Sequence, residues 1–255
     1  MSIVFHHVSK RLKTPQRLLA RQKSSAAPFR VKTAEFLAAA SAADQIPALN
    51  GRPEIIVTGR ANCGKSTLLS AVLGQKDLFR TSKKAGCTRT LNFYRVGEHP
   101  GSVVLVDAPG YGARGRPEWG DLFNTYITTR KQLKRVYILF NGKHPLNPAD
   151  LEMVANLSDT LYTQEGAQPY TLQAIITKAD CIPSHLLSEV LPKIHQQIWE
   201  AAPLCLPPIV TSAMMTPKFG IEEVRSNIAE ACGLAIPSDS ASRGNLSWFV
   251  NSVNK

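Results

Sequence analysis

The amino-acid sequence predicts an α/β fold with three layers and a mostly parallel central sheet. From residue 50 onward, short β-rich runs alternate with helix-like segments, the order that produces parallel strand pairing. Runs such as YILF and AIIT are apolar without alternation, as expected of strands that helices cover on both faces. A chain of 255 residues, 44% of them hydrophobic, is long enough for one such domain with a sizeable core.

Strands and helices are expected to follow one another along this part of the chain. The strand candidates are apolar or β-branched runs, in the order Glu54–Thr58, Leu91–Val96, Ser102–Val106, Arg135–Asn141, Tyr170–Thr177 and Pro208–Thr211. The helix candidates show the longer spacing of apolar residues, at Lys65–Leu73, Asp121–Gln132, Pro148–Tyr162, Ser184–Ala201 and Ile221–Ala231. Loops that follow the strands are therefore where functional side chains are sought.

The positive charge is concentrated at the N-terminus. The formal net charge is +11, yet no Asp or Glu precedes Glu35, while eight basic residues do: Lys10, Arg11, Lys13, Arg17, Arg21, Lys23, Arg30 and Lys32. A basic, Ser-containing and acid-poor N-terminal segment is typical of a mitochondrial presequence, because the membrane potential draws its positive charge towards the matrix. We expect residues 1–34 to be a disordered presequence and the mature protein to lie in the mitochondrial matrix. A basic arm that contacts RNA and a plastid address remain alternatives.

Cysteine and histidine spacing argues against a metal centre or a disulfide scaffold. The five cysteines are widely spread and the six histidines show no metal-type spacing. Cys63 and Cys87 fall in loops assigned below to nucleotide contact. Each could be a thiol whose oxidation inhibits the protein or simply a small residue that packs in a crowded loop, and both interpretations remain open. No apolar run approaches the roughly 20 residues that span a bilayer, so stable membrane insertion is not expected.

The segment GRANCGKST, residues 59–67, lies between a predicted strand and a predicted helix and matches G-x-x-x-x-G-K-[ST]. The glycines let backbone N–H groups point at phosphates, Lys65 neutralises the β and γ phosphates, and the Ser66 hydroxyl binds Mg²⁺. The motif predicts a nucleotide site without choosing between ATP and GTP. The expected contacts are Gly59, Arg60, Ala61, Asn62, Cys63, Gly64, Lys65, Ser66 and Thr67.

A second motif, DAPG, follows the apolar run SVVLV. A carboxylate at the end of a buried strand, here Asp107, can hold Mg²⁺ through water, while Gly110 can bring its amide to the γ-phosphate. Pro-Gly after a strand is also an ordinary turn. The distance from the phosphate loop favours the functional interpretation.

The base is indicated by TKAD, residues 177–180, again at the end of an apolar strand. The Asp180 carboxylate can accept two hydrogen bonds from guanine N1 and N2, and leaving it unpaired would penalise ATP by a few kcal/mol. Taken alone, TKAD is equally consistent with a helix-capping turn, but together with the other motifs it predicts GTP. The expected base contacts are Thr177, Lys178, Asp180, Thr211, Ser212 and Ala213.

With these motifs the chain resembles the translation-factor-like GTPases and, within them, the EngB/YihA/YsxC family of ribosome-assembly GTPases, in the TrmE-Era-EngA-EngB-Septin-like superfamily. The resemblance is carried by GRANCGKS, KKAGCTRTLNF, DAPGYG, TKAD and TSA, and by QIP and RPE before the first predicted strand. It implies a P-loop GTPase (Ras-like) domain over residues 35–235 and, with the basic N-terminus, a eukaryotic mitochondrial member. Residues 236–255 are expected to be a polar C-terminal tail.

The resemblance also implies individual roles. Thr88 matches the switch I threonine that closes on Mg²⁺ and the γ-phosphate, with Thr90 as the alternative. Gly110 matches the switch II glycine. The next residue, Tyr111, stands where many GTPases have a water-orienting Gln, which implies slow intrinsic hydrolysis. Asn62 matches an asparagine that helps bind potassium in related GTPases, so we hypothesise potassium-stimulated turnover. The implied catalytic residues are Asn62, Lys65, Thr88 and Gly110, and the implied metal-binding residues are Ser66, Thr88 and, through water, Asp107.

As a function, the resemblance implies a monomer that hydrolyses GTP to GDP and phosphate and acts as a nucleotide-dependent switch. Its implied partners are a precursor of the large mitochondrial ribosomal subunit and the rRNA of that particle. A GTP-gated binding module with little turnover and a GTPase with a non-ribosomal partner remain alternatives. A signalling GTPase is less favoured because no lipidation motif is found, and a P-loop kinase would need no guanine-binding carboxylate.

An RNA contact is suggested independently by basic residues in and beside the expected switch loops. They are Arg80, Lys83, Lys84, Arg89, Arg95, Arg114, Arg116, Arg130, Lys131, Lys134 and Arg135. Ordered by GTP, such residues could bind an RNA backbone, or they could neutralise the nucleotide or remain solvated. The loop NGKHP at residues 141–145 departs from the family pattern, which has an acidic residue followed by Arg-His-Gly or similar.

Overall fold

The computed structural model describes residues 33–75, 78–79, 90–98, 102–111, 117–162 and 170–234. Within these ranges the strands are β1 (Ala34–Ala40), β2 (Glu54–Gly59), β3 (Leu91–Val96), β4 (Val103–Asp107), β5 (Leu133–Asn141), β6 (Thr171–Thr177) and β7 (Cys205–Val210). The α-helices are α1 (Lys65–Leu73), α2 (Pro117–Thr129), α3 (Pro148–Tyr162), α4 (Leu187–Ala201) and α5 (Ile221–Ala231). Short 3₁₀ turns lie at Ala43–Gln45, Ala179–Cys181 and Ser184–Leu186.

The strands form one sheet in the order β1-β3-β4-β2-β5-β6-β7. Strands β4, β2, β5, β6 and β7 are mutually parallel, whereas β3 runs antiparallel to both β4 and β1. The predicted mostly parallel sheet is confirmed. Because the parallel strands end at one edge, the loops after β2, β4, β5, β6 and β7 meet there, which is where open α/β sheets bind ligands.

Helices cover both faces of the sheet and create two apolar cores. Helices α2, α3 and α4 pack on one face, whereas α1 and α5 pack on the other. The consecutive residues Ile56 and Ile55 of β2 point into these two cores and are fully buried. The three-layer architecture predicted from the unbroken apolar strands is therefore confirmed.

Strand β1 was not predicted. Its sequence, AEFLAAA, is rich in alanine, which favours helix, yet Ala34 to Ala40 pair antiparallel with β3. The Phe36 ring packs edge-on against Tyr94 of β3, with ring centroids 5.6 Å apart. Ladder hydrogen bonds and this aromatic contact override the local helix preference at the sheet edge.

Several predicted boundaries shift by a few residues for identifiable reasons. Helix α2 begins four residues earlier than predicted, with Pro117 at its first position, where a missing N–H costs nothing. Helix α4 begins at Leu187, after a separate 3₁₀ turn. Strand β7 includes Pro207 and Pro208, which an edge strand tolerates because one side of its backbone has no ladder partner.

Candidate functional site

The loop between β2 and α1 is shaped by close contacts and left-handed backbone. A Cβ at Gly59 would lie 2.6 Å from the Cys63 Sγ and 2.9 Å from the Leu139 Cβ, so only glycine fits. Asn62 has φ 63° and Gly64 φ 99°, conformations that let the chain double back into α1. Residues 59–64 therefore form a tight loop whose amides precede a helix N-terminus, the geometry that binds phosphate.

The first turn of α1 carries a cation, Lys65, and the hydroxyl groups of Ser66 and Thr67. Lys65 Nζ contacts the Asp107 carboxylate at the end of β4, and only 14% and 10% of the two side chains are exposed. Burial raises the pKa of Asp107, and the neighbouring charge of Lys65 opposes that rise. Ser66 and Thr67 are exposed on this turn. Mg²⁺ prefers oxygen ligands, and Asp107 offers carboxylate oxygens while Ser66 offers a hydroxyl oxygen. These two residues therefore fit the expected metal.

The segment after β4 runs against the phosphate loop. Asp107 lies opposite Val57 of β2, and the Ala108 amide donates a hydrogen bond to the Val57 carbonyl over 3.0 Å. A Cβ at Gly110 would lie 3.0 Å from the Ala61 nitrogen and 3.1 Å from the Gly59 carbonyl oxygen. The predicted switch glycine thus lies close beside the predicted phosphate-binding backbone, with no room for a side chain between them.

A buried network beside Gly110 was not predicted. The Tyr111 hydroxyl donates a hydrogen bond to Asp150 Oδ1 over 3.1 Å, and the Arg60 Nε lies 3.5 Å from the same oxygen. Burial and the Asp150 carboxylate raise the pKa of Tyr111 far above its ordinary value, so the phenol stays protonated. The pattern Asn147-x-x-Asp150 signals a helix cap, but nothing in the sequence links Asp150 to Tyr111.

The end of β6 is tied to the phosphate loop through Thr177. Its hydroxyl contacts the carbonyl oxygen of Cys63 and lies 3.1 Å from that of Phe140. Lys178, which has φ 55°, donates from Nζ to the Asn62 carbonyl over 2.8 Å. Two residues predicted to contact the base therefore also hold the backbone of the phosphate loop.

The remaining predicted base contacts lie together at the ends of β6 and β7. The Ser212 hydroxyl donates to Asp180 Oδ1 over 2.6 Å, and the Ala179 amide donates to the Thr211 carbonyl over 3.1 Å. Ala213 follows directly in the chain. Residues 179–181 do form a 3₁₀ turn, the alternative considered for this motif, but its cap has no side-chain hydrogen bond. Instead, the Asp180 carboxylate is positioned by the neighbouring loop.

Some predicted site residues lie outside the described residues. Thr88 and Cys87 are among them, as are residues 1–32, 235–255 and the bases Arg80, Lys83, Lys84, Arg89, Arg114 and Arg116. Thr90 is described, and its hydroxyl donates to Asn92 Oδ1 over 3.1 Å. The roles assigned to these residues therefore stay predictions.

Two of the basic residues considered for RNA are structural, so that part of the expectation was wrong. Arg130 donates from Nε to the buried Glu54 carboxylate over 3.0 Å. Arg135 is buried and donates to Thr171 and Asn227. Both guanidinium groups are engaged by groups of the domain itself, so their charge is already paired or hydrogen-bonded within the domain. Lys131 and Lys134 are exposed.

The phosphate-loop cysteine is a packed residue. Cys63 is 3% exposed, and its burial raises the pKa of the thiol to about 11 despite the opposing charge of Lys65. A thiol that stays protonated is a poor nucleophile, which favours the packing interpretation over an oxidisable switch. Among the described residues, no group of three or more His, Cys, Asp or Glu side chains could hold a metal ion. No helix among them is long and apolar enough to cross a membrane.

Sequence comparisons identify GTP-binding proteins as relatives of this chain, in agreement with the predicted nucleotide site. A family model described as "50S ribosome-binding GTPase" matches residues 54–172. A "Probable GTP-binding protein EngB" of Geobacillus kaustophilus is 38% identical over 160 residues, which cover 60% of this chain and 75% of the relative. The protein of the same description from Bartonella bacilliformis is 35% identical over 192 residues, covering 71% and 85%.

Comparison with solved structures shows the same fold. Era in complex with MgGDPNP and a segment of 16S ribosomal RNA matches with a TM-score of 0.53 and 22% identity. A variant of Aquifex aeolicus Era bound to GDP and AlF₄⁻ matches with a TM-score of 0.53 and 23% identity. Each match covers 72% of this chain and 58% of the solved chain. The relatives described as EngB show that the chain belongs to the EngB family of GTP-binding proteins, and its fold is that of a P-loop GTPase.

Proposed function

We propose that this GTPase is a nucleotide-dependent switch in the assembly of the large ribosomal subunit of mitochondria. The observation that carries the switch is the contact of Gly110 with the phosphate-loop backbone at Ala61. A γ-phosphate held by that loop reaches Gly110, whereas GDP does not. The ribosomal target is supported by the "50S ribosome-binding GTPase" description of the matching family model.

In this proposal the chain's own groups bind and orient GTP. Amides of residues 59–64 and the Lys65 ammonium bind the phosphates, and Asp180 selects guanine. Ser66 and, through water, Asp107 would hold Mg²⁺, which would supply positive charge to neutralise the phosphates. Thr88, outside the described residues, is proposed to close over the γ-phosphate.

Hydrolysis without a partner is proposed to be slow. The residue after Gly110 is Tyr111, whose hydroxyl donates to Asp150, so no side-chain amide orients water from this position. We further propose that Asn62 helps bind potassium and that turnover is faster with potassium. Equal rates of phosphate release in sodium and potassium buffers, with and without ribosomal particles, would contradict this.

The mitochondrial location is proposed from the basic, acid-poor N-terminus. Import of the full chain into isolated, energised mitochondria, with protection from added protease, is the direct test. A variant in which the eight bases before Glu35 are replaced by Gln should stay outside. Equal import of both proteins would argue against a presequence.

The central test is co-sedimentation with precursors of the large mitochondrial subunit. The full chain should pellet with the particles in the presence of a non-hydrolysable GTP analogue and remain in the supernatant with GDP. Lys65→Ala, which removes the phosphate-binding ammonium, is the control that should not respond to the analogue. Equal pelleting with both nucleotides, or none with either, would overturn the ribosomal switch while leaving GTP binding intact.

A second candidate, a GTP-gated binding module with little turnover, is favoured by the same engagement of Tyr111 with Asp150. The two candidates differ in product formation. A switch that hydrolyses GTP should release GDP faster when particles are added, whereas a binding module should pellet with GTP and release GDP at an unchanged low rate.

A further inference from the structure

The side chain after the switch glycine is held inside the protein. Tyr111 is 6% exposed and Asp150 is 3% exposed, and the phenol donates a hydrogen bond to the carboxylate over 3.1 Å. The same oxygen, Asp150 Oδ1, faces Arg60 of the phosphate loop at 3.5 Å. The phosphate loop, at Arg60, and the segment after β4, at Tyr111, are thus joined through one carboxylate.

Asp150 is itself a fixed acceptor at the start of α3. Its Oδ2 accepts a hydrogen bond from the Asn147 amide over 3.1 Å, and its own amide donates to the Asn147 side-chain oxygen over 2.9 Å. This reciprocal pairing fixes the carboxylate at the N-terminus of α3, where the helix dipole favours a negative charge. An acceptor fixed on a helix can hold a loop residue in place.

We propose that Tyr111 is a positioning residue that, through Asp150 and Arg60, holds the adjacent Gly110 amide ready for the γ-phosphate and so sets the preference for GTP over GDP. Fixing the next residue to α3 restricts how far Gly110 can move away from the loop at Ala61. GDP has no group at the γ position, so its affinity does not depend on where Gly110 lies. The inference rests on the proposed GTP switch and names the residues that tune it.

The alternative is that Tyr111 only fills space in the core. The protein supplies a matched comparison in Tyr126, which is also buried and also donates its hydroxyl to a buried carboxylate, that of Glu54. Glu54 begins β2, whereas the phosphate loop starts at the last residue of that strand, Gly59. The Tyr126–Glu54 pair therefore lies about 16 Å from the phosphate loop along the strand. Removing either hydroxyl should reduce stability, but only Tyr111→Phe should change nucleotide preference.

The experiment measures the Kd of a non-hydrolysable GTP analogue and of GDP for the full chain, for Tyr111→Phe and for Tyr126→Phe. A hydrogen bond to a charged acceptor is worth roughly tenfold or more in an equilibrium constant. Because only part of that difference reaches the Gly110 amide, we expect about a three- to tenfold weaker affinity of Tyr111→Phe for the GTP analogue. Its GDP affinity, and both affinities of Tyr126→Phe, should stay within about twofold of the wild type.

Asp150→Asn provides a second variant that removes the charge facing Arg60 while leaving an oxygen for Tyr111. Asp150→Asn, like Tyr111→Phe, should lower the preference for the GTP analogue over GDP. In the double variant the loss of preference should be smaller than the product of the two single-variant losses, because the two residues act through the same contact. An unchanged preference in both single variants, or an equal loss for both nucleotides, would overturn the positioning role. A wild type that binds neither nucleotide would instead refute the proposed function itself.

Discussion

Gly110 lies against Ala61 so closely that a Cβ at Gly110 would approach the Ala61 nitrogen to 3.0 Å. The contact joins the segment after β4 to the backbone of the phosphate loop. Moving either segment apart costs free energy, because the atoms that an added Cβ would meet belong to the main chain rather than to a flexible side chain. In the proposed GTP complex, space at this point controls how near the Gly110 amide comes to the γ-phosphate.

Gly110→Ala should weaken binding of a GTP analogue and slow GTP hydrolysis, because the added methyl group must displace one of the two backbones. Overpacking of this kind costs roughly 1–3 kcal/mol, about a 5- to 150-fold loss of affinity if it falls on the GTP-bound state. Isothermal titration with a GTP analogue and with GDP checks the size of the effect on each.

Gly120 supplies the control for that substitution. It lies within α2, and a Cβ there would meet nothing within 4 Å. Gly120→Ala should leave nucleotide binding unchanged and stabilise the protein by about 0.5–1 kcal/mol, because alanine loses less backbone entropy in a helix. A Gly110→Ala variant that binds both nucleotides like wild type would show that the contact is not restrictive.

Thr177→Val should destabilise the protein and weaken GTP and GDP binding together. The variant keeps the shape of the side chain but removes the hydroxyl that contacts the Cys63 and Phe140 carbonyl oxygens. Leaving a buried carbonyl unpaired costs about 1–3 kcal/mol. Chemical denaturation and titration with each nucleotide provide the measurements.

Thr58 is the matched control for this change. Its hydroxyl is buried at the end of β2 and has no hydrogen-bond partner among the described residues. Thr58→Val should therefore leave stability unchanged or raise it by about 1 kcal/mol, because valine removes an unsatisfied polar group. Equal losses in the two variants would mean that the Thr177 contacts contribute nothing specific.

The sequence predicted the features that depend on local patterns and missed those that depend on contacts between distant residues. The apolar strands, the glycine loop and the order of the motifs predicted the fold, because each depends on a short local pattern. Strand β1 was missed because its alanines favour helix and only pairing with β3 makes them a strand. The Tyr111–Asp150 bond joins residues 39 apart in the chain, and no local pattern encodes such a contact.

Asp180→Asn should reverse the base preference from guanine to xanthine. In the proposed complex the carboxylate accepts hydrogen bonds from the guanine N–H groups, whereas the amide of Asn can donate to the extra carbonyl of xanthine. We expect roughly a hundredfold or greater loss of GTP affinity together with a gain in XTP affinity. The gain is its own control, because a damaged fold would weaken both nucleotides; a parallel loss of GTP and XTP binding would contradict the assignment.

The Cys63 thiol should react slowly with iodoacetamide at pH 8, because its pKa of about 11 leaves about one thiolate in a thousand. Since the neutral form dominates below that pKa, the alkylation rate should rise about tenfold per pH unit up to about pH 11 while the protein stays folded. Cys181, which is exposed, is the internal reference. Mass spectrometry of tryptic peptides after timed labelling checks both, and equal labelling of the two cysteines at pH 8 would contradict the prediction.

Arg130→Met should lower the free energy of unfolding without changing nucleotide affinity. The guanidinium pairs with Glu54, which is fully buried at the start of β2, and methionine keeps the packing of the stem while removing the charge. Breaking a buried pair costs about 3–5 kcal/mol, and the partial exposure of Arg130 reduces this to roughly 2–4 kcal/mol. Lys131→Met at the exposed neighbouring position should change stability by less than about 0.5 kcal/mol. If urea denaturation gave the two variants the same stability, the pair between Arg130 and Glu54 would contribute nothing to the free energy of unfolding.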